Sequence, residues 1–166
     1  MSGAGEGRER IPPHHDPACW GCGDENPDGI HLPKPADEGI ERYEATFAFD
    51  ARHQAAPGIA HGGLVGAALD EACGLLATWH RFPAVTARIF VRYRRPVLIN
   101  RELAVAAWVT ESRGRRIHVD ADLRGSGEVL AKARGAFLHV PLEHFLASPE
   151  GRAIGEQWRK VHSDGE

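Results

Sequence analysis

The stretch GIAHGGLVGAALDEACGLLATWH, residues 58–80, is the longest apolar run of the chain and decides its fold. When this run is wound as a helix, its apolar side chains point in every direction, which is typical of a buried helix. The small residues among them allow a sheet or a second helix to approach closely. We therefore predict a central helix with Gly62 and Gly63 at its N-terminus and its end near His80 and Arg81.

Segments with a period of two lie on both sides of this helix and predict strands. One strand precedes the helix at residues 41–49, and residues 52–58 between them are predicted to be a loop. Gly135 lies inside the last predicted strand and indicates a bulge or a close approach of another group. We predict an α+β fold in which a curved antiparallel sheet wraps around the long central helix. Four strands follow the helix, at residues 85–97, 102–112, 116–125 and 129–140.

The length of 166 residues suits a single domain with one core. Residues 1–17 are rich in glycine, proline and charge and are predicted to form a mobile arm. Residues 18–141 then form the globular domain, and residues 142–166 a short helical tail.

Composition excludes several classes of protein. The net charge of -3 offers no surplus of basic residues for binding nucleic acid. Asp70 and Glu71 interrupt the longest apolar run, so we expect no membrane span. The N-terminus has no apolar segment typical of a secretory signal, and three cysteines are too few for a disulfide scaffold. We expect a cytoplasmic protein.

The His61-Gly62-Gly63 motif at the start of the helix offers donors for a negative charge. Backbone N–H groups in the first turn of a helix have no partner within the helix, and the helix dipole favours an anion there. Glycines let a substrate carbonyl approach the backbone closely, as a developing oxyanion requires. His61 would add a side-chain donor or only shape the turn.

Asp70 places a carboxylate in an otherwise apolar helix, where burial is costly. It is predicted to act as a nucleophile on a carbonyl carbon or as a general base on a water molecule. A structural carboxylate bonded to the backbone is the alternative. Glu71 points about 100° away around the helix and is the second candidate base, unless it forms an ion pair or faces a dimer interface.

These motifs together resemble those of a known family. The sequence G-I-A-H-G-G-L-V-G-A-A-L-D-E, then Thr86 sixteen residues after Asp70, then V-x-Y-x-R-P-V at residues 91–97, is similar to hotdog-fold acyl-CoA thioesterases. The resemblance extends from about Cys19 to Val140 and is greatest to the phenylacetate-degradation type and to relatives that begin with C-[WF]-G-C-G.

The resemblance implies hydrolysis of an acyl-CoA thioester without a cofactor. It implies that Thr86 holds the catalytic water or the carboxylate of Asp70, and that Gly63 and Glu71 lie at the substrate. A dehydratase or hydratase of the same fold is one alternative, although it pairs a histidine with an acid at another spacing. A non-catalytic acyl-CoA-binding protein is another, although it would be expected to lack the acid or the threonine.

The spacing of the proposed groups predicts a dimer. Gly62 and Asp70 are eight residues apart on one helix, which separates them by about 12 Å at ~1.5 Å per residue. One carbonyl carbon cannot contact both residues. A site shared between two antiparallel helices of a homodimer would bring them together. A dimer of dimers is an extension of this arrangement.

Basic residues gather on the first strand after the helix and on the following hairpin. A solvated sheet face accounts for most of them. Some would contact the phosphates of coenzyme A, for which guanidinium groups are well suited. We take Arg88, Arg113 and Arg115 as the candidates.

Cys19 and Cys22 form a C-x-x-C motif. A structural zinc site needs four ligands, and no second motif of this kind is present. We therefore expect a turn over the mouth of the pocket and no bound metal; metal binding is the alternative. Cys73 is expected to be a small apolar residue in the helix core. The histidines near the motif are His14, His15 and His31.

Overall fold

The computed structural model describes residues 16–37, 39–153 and 155. The predicted N-terminal arm, except for its last two residues, lies outside this part of the chain, as do residues 154 and 156–166 of the predicted tail. The elements are β1 Arg42–Phe47, β2 Gln54–Ala56, β3 Ile59–Ala60, α1 Gly62–His80, β4 Ala84–Tyr93, β5 Leu103–Arg113, β6 Arg116–Gly125 and β7 Glu128–His139, with 3₁₀ helices at Ala51–His53 and Leu142–Ala147.

The predicted architecture is confirmed. Five strands form one antiparallel sheet in the order β1-β5-β6-β7-β4, and α1 packs against all five of them. β2 and β3 pair separately as a two-stranded sheet. No helix in the described ranges is long and apolar enough to cross a membrane.

The segment predicted as a loop before α1 is more ordered than expected. Asp50 caps the 3₁₀ helix at Ala51–His53, because its side chain accepts hydrogen bonds from the backbone N–H groups of Arg52 and His53. The His53 ring accepts a hydrogen bond from the Asp50 backbone N–H in return, at 3.0 Å. This reciprocal capping box fixes the entry into β2 and β3, which the composition of the segment did not indicate.

One side of α1 is in the core, and the other is not. Ala68, Leu69, Ala72 and Leu76 have no exposed surface, and full burial of a leucine side chain stabilises a fold by about 2 kcal/mol. The prediction that no face of the helix is left to water is nevertheless wrong for one stripe of the helix. The sheet covers the large side chains of α1 and leaves one stripe half-buried. This half-buried stripe consists of Gly66, Ala67, Asp70 and Gly74.

β4 lies at the end of the sheet and pairs with β7 alone. The parity of Thr86 does not match the face of Ile89, Val91 and Tyr93, which predicts that Thr86 lies just before the regular strand or at a bulge. The register shifts between Thr86 and Arg88, so a β-bulge is present there. Gly135 on β7 pairs with Ile89 in regular register, so it does not lie at a bulge. Of the two predicted explanations for this glycine, the close approach of another group is the one observed. A side chain at position 135 would overlap the ring of Phe137.

Candidate active site

Asp70 and Thr86 form a hydrogen-bonded pair between α1 and β4. The Thr86 hydroxyl Oγ1 donates to Asp70 Oδ1 at 3.1 Å. The bulge that follows Thr86 in β4 breaks the alternation of the strand, which is how bulges re-aim side chains near functional sites. Asp70 is half-buried and Thr86 is exposed, so the pair stays within reach of a substrate.

Burial raises the pKa of the Asp70 carboxyl, and the hydrogen bond from Thr86 opposes part of that rise. Desolvation disfavours the ionised form, whereas a donor aimed at the carboxylate favours it. A carboxylate with a raised pKa is a stronger base than one in water. Asp70 is therefore suited to accept a proton and is oriented by a fixed partner.

His61 caps the N-terminus of α1 through its ring. Its Nδ1 accepts a hydrogen bond from the Gly63 backbone N–H at 3.0 Å. A neutral imidazole that accepts at Nδ1 carries its proton on Nε2, so the exposed ring offers an N–H donor beside the helix terminus. The Gly63 N–H is thus engaged by His61, and the prediction that it is unpaired is wrong.

Gly62 keeps the expected open donor. Within the described residues no hydrogen bond uses its backbone N–H, and the residue is exposed. Its carbonyl oxygen accepts a hydrogen bond from the Tyr93 hydroxyl at 2.7 Å. A Cβ on Gly62 would have ordinary contacts, about 3.9 Å from the Tyr93 ring, whereas one on Gly63 would lie 3.0 Å from His61 Nδ1.

Tyr93 is a site residue that the sequence did not identify. The alternation of β4 places it on one face with Ile89 and Val91. Its hydroxyl reaches the first turn of α1 and so ties the end of β4 to the helix terminus. A tyrosine on an apolar strand face was the available signal, because its hydroxyl needs a polar partner where the ring packs.

Glu71 lies apart from the Asp70–Thr86 pair. Its carboxylate oxygens are 3.9 and 3.8 Å from Cys19 Sγ. A side chain at position 21 would overlap Glu71, so the backbone of the loop passes directly over this carboxylate. The structure therefore places Glu71 under the loop that contains Cys19 and Cys22, and not at the predicted substrate site.

The three arginines predicted to bind phosphate are not gathered in one place. Arg88 lies on β4 beside Asp120 and Arg134, in a groove of about 330 Å³ on the sheet. Arg113 and Arg115 are at the turn between β5 and β6.

A second and larger groove, of about 690 Å³, adjoins Tyr93 and hence the helix terminus. Its basic residues are Arg92, Arg94, Arg95 and Arg124.

Known proteins share sequence and fold with this chain. The sequence profile of the thioesterase superfamily matches residues 57–132, whereas no curated protein matches the chain. A crystallised thioesterase superfamily protein is 28% identical, with a TM-score of 0.64 over 75% of this chain and 63% of that one, so the chain spans less than two thirds of its length.

Two further structures share the fold at lower identity. The PaaI protein from the phenylacetic acid degradation operon of E. coli is 18% identical, with a TM-score of 0.61 over 68% of this chain and 81% of that one. A Streptococcus mutans protein solved with acetyl CoA bound is 19% identical, with a TM-score of 0.61 over 66% and 88% of the two chains. Residues 57–132 therefore resemble the thioesterase superfamily, and the chain has the hotdog fold.

Proposed function

We propose that the chain hydrolyses an acyl-CoA thioester to the free acid and coenzyme A. One observation carries this proposal: the helix that presents an open N–H at Gly62 also holds a carboxylate, Asp70, that is bonded to the hydroxyl of Thr86. Donors for an oxyanion and a base for water are the two requirements of acyl transfer to water. The match of residues 57–132 to the thioesterase superfamily supports the same reaction.

In the proposed reaction the thioester oxygen lies against the Gly62 N–H, and His61 Nε2–H is a second donor. Asp70 takes a proton from a water molecule while the oxygen of that water molecule bonds to the carbonyl carbon of the thioester. The resulting oxyanion collapses, the carbon–sulfur bond breaks, and the departing sulfur receives the proton from Asp70. Thr86 keeps the carboxylate of Asp70 oriented. Each oxyanion donor of this kind lowers the activation barrier by about 3 kcal/mol.

The two halves of this site come from different subunits in our proposal. Gly62 and Asp70 lie in the same straight helix, about 12 Å apart along its axis. The outer edge of β4 is an unpaired strand edge within the described sheet, and such edges pair readily with a second chain. Pairing of β4 with its symmetry mate would bring together the half-buried stripes of two α1 helices.

Release of free thiol from a panel of acyl-CoA substrates tests the activity. We expect thiol release to be lost with Asp70→Asn. Hydration of an enoyl-CoA without thiol release would instead support the dehydratase or hydratase, and saturable binding without turnover would support a binding protein.

Subunit mixing tests the shared site. Gly62→Pro removes the N–H donor at the first helical position, where proline is well tolerated, and His61 already has a ψ of 130°, as a residue before proline requires. Equal mixing with Asp70→Asn chains should restore about a quarter of wild-type activity, since half the dimers are mixed and each contains one intact site. No recovery despite demonstrated mixed dimers would exclude a shared site.

The basic groove beside Tyr93 is proposed to hold the phosphates of coenzyme A. It adjoins the helix terminus where the thioester carbonyl would lie, and it is lined by several guanidinium groups. Substitution of Arg94 by alanine should raise KM for an acyl-CoA but not for the corresponding acyl-pantetheine, which has no nucleotide. Equal changes for both substrates would exclude phosphate binding in this groove.

A further inference from the structure

The loop at Cys19 and Cys22 meets helix α1 at Glu71, and this contact is separate from the proposed catalytic groups. One sulfur from each cysteine and one carboxylate oxygen of Glu71 all lie within 4.8 Å of one another. Cys22 is 1% exposed, and Cys19 and Glu71 are half-buried. Three ligand-type atoms thus converge on one small, largely enclosed volume.

We propose that Cys19, Cys22 and Glu71 bind a zinc ion that fastens the N-terminal loop to the central helix. Cysteine sulfur and carboxylate oxygen are both ligands of zinc. Four-coordinate zinc is completed here by a water molecule. The sequence alone predicted no metal because the residues near the C-x-x-C motif gave no set of four ligands, and the third ligand lies 52 residues away from Cys19.

The distances within the cluster fit a tetrahedral ion. Zinc–sulfur bonds of about 2.3 Å and zinc–oxygen bonds of about 2.1 Å place neighbouring ligand atoms about 3.6 Å apart. Cys19 Sγ lies 3.8 and 3.9 Å from the two Glu71 oxygens. The Cys19–Glu71 pair therefore needs a movement of only a few tenths of an ångström, and the pairs that include Cys22, which lie within 4.8 Å, need at most about 1 Å.

The backbone holds the ligands in this arrangement. The Gly23 N–H donates to the Cys19 carbonyl at 3.0 Å, which closes a turn around the C-x-x-C motif. The Ile30 and Leu32 N–H groups donate to the carbonyls of Trp20 and Gly21, at 2.8 and 2.9 Å. These bonds fix the loop on both sides of its closest approach to α1. A preformed ligand set loses less entropy when it binds an ion.

Charge also favours a cation at this position. Two thiolates and one carboxylate carry three negative charges, of which a divalent ion compensates two. Soft sulfur ligands select zinc over magnesium or calcium.

Cobalt substitution in the full-length protein tests the proposal, because cobalt bound by thiolate gives a charge-transfer absorption band. We expect one zinc per chain by elemental analysis and one equivalent of cobalt with this band. Cys22→Ser should abolish the band. Glu71→Gln should weaken cobalt binding by more than about tenfold, because the loss of a residue that only supports a ligand already weakens metal binding by about that factor. Cys73→Ala is the matched control, since Cys73 lies in the helix core and its loss should leave binding intact.

Other results would overturn the proposal. They are the absence of zinc and of the cobalt band in reduced wild-type protein, an unchanged cobalt affinity in Glu71→Gln, and a Cys19–Cys22 disulfide that forms equally fast with and without zinc. Metal binding should also raise Tm of the wild type but not of Cys22→Ser, because an ion bound only by the folded state stabilises it. Equal rises in both proteins would indicate binding elsewhere.

Discussion

Asp70 and Glu71 are adjacent acids on one helix, yet they lie in different surroundings. Asp70 is on the half-buried stripe of α1 and accepts a hydrogen bond from Thr86 on β4. Glu71 lies under a loop whose backbone leaves no room for a side chain at Gly21. Both carboxylates are half-buried, but a rotation of about 100° per residue turns one towards β4 and the other towards the N-terminal loop. The adjacent acids therefore contact different elements, and only Asp70 belongs to the proposed active site.

The largest expected effect comes from exchanging each acid for its amide. Asp70→Asn keeps the shape and removes the base, so turnover should fall at least ~100-fold. Glu71→Gln should retain turnover, since its carboxylate contacts the loop and not the Asp70–Thr86 pair. Steady-state thiol release under identical conditions measures both. Loss of turnover in Glu71→Gln with near-normal Asp70→Asn would reverse the assignment.

Gly21→Ala tests how closely the Glu71 side is packed. The new methyl group would overlap the Glu71 side chain, and overpacking of this kind typically costs about 2 kcal/mol of folding stability. Denaturant unfolding measures the loss. We expect turnover per folded molecule to be unchanged, because Asp70 and Thr86 are not displaced. An unaltered unfolding midpoint would mean that the loop does not press on Glu71.

Thr86→Val tests the partner of Asp70. Loss of the hydroxyl should lower kcat about tenfold, which corresponds to about 1.4 kcal/mol. Burial raises the pKa of Asp70 and the Thr86 hydrogen bond opposes that rise, so removing the bond raises the pKa further. The carboxylate then ionises at higher pH, and the acidic limb of the kcat/KM profile should move to higher pH.

Thr110→Val is the matched control for this experiment. Thr110 is exposed on β5, which is three strands away from β4 in the sheet, and its hydroxyl donates to the His118 carbonyl. It should leave the pH profile in place. A Thr86→Val profile that coincides with the wild type would reduce Thr86 to a packing role.

The sequence predicted the features of this site that leave a periodic signal. An apolar run with an acid in it predicted α1 and Asp70, and the parity of Thr86 against the Ile89 face predicted the irregularity in β4. The same alternation placed Tyr93 on one face with Ile89 and Val91, but alternation gives the face of a side chain and not the atom that it bonds.

Two contacts left no such signal. Glu71 meets Cys19 across 52 residues, between a loop and a helix, and no local pattern encodes a pairing at that separation. His61 caps α1 with its ring and takes the Gly63 N–H. Histidine is not among the residues preferred at this position, so the usual capping pattern did not predict the bond.

The smallest expected effect concerns Gly74, one turn beyond Asp70 on the half-buried stripe. A Cβ at this position would lie 3.7 Å from the Phe137 ring, an ordinary contact. Alanine in a helix interior is favoured over glycine by about 0.5–1 kcal/mol, so Gly74→Ala should raise Tm by about 1–4 °C. Differential scanning calorimetry measures this shift. A lower Tm would mean that another backbone packs on the stripe, for example the α1 of a second subunit. Asp70 would then be covered by that subunit in the assembled protein, as Glu71 is covered by the N-terminal loop.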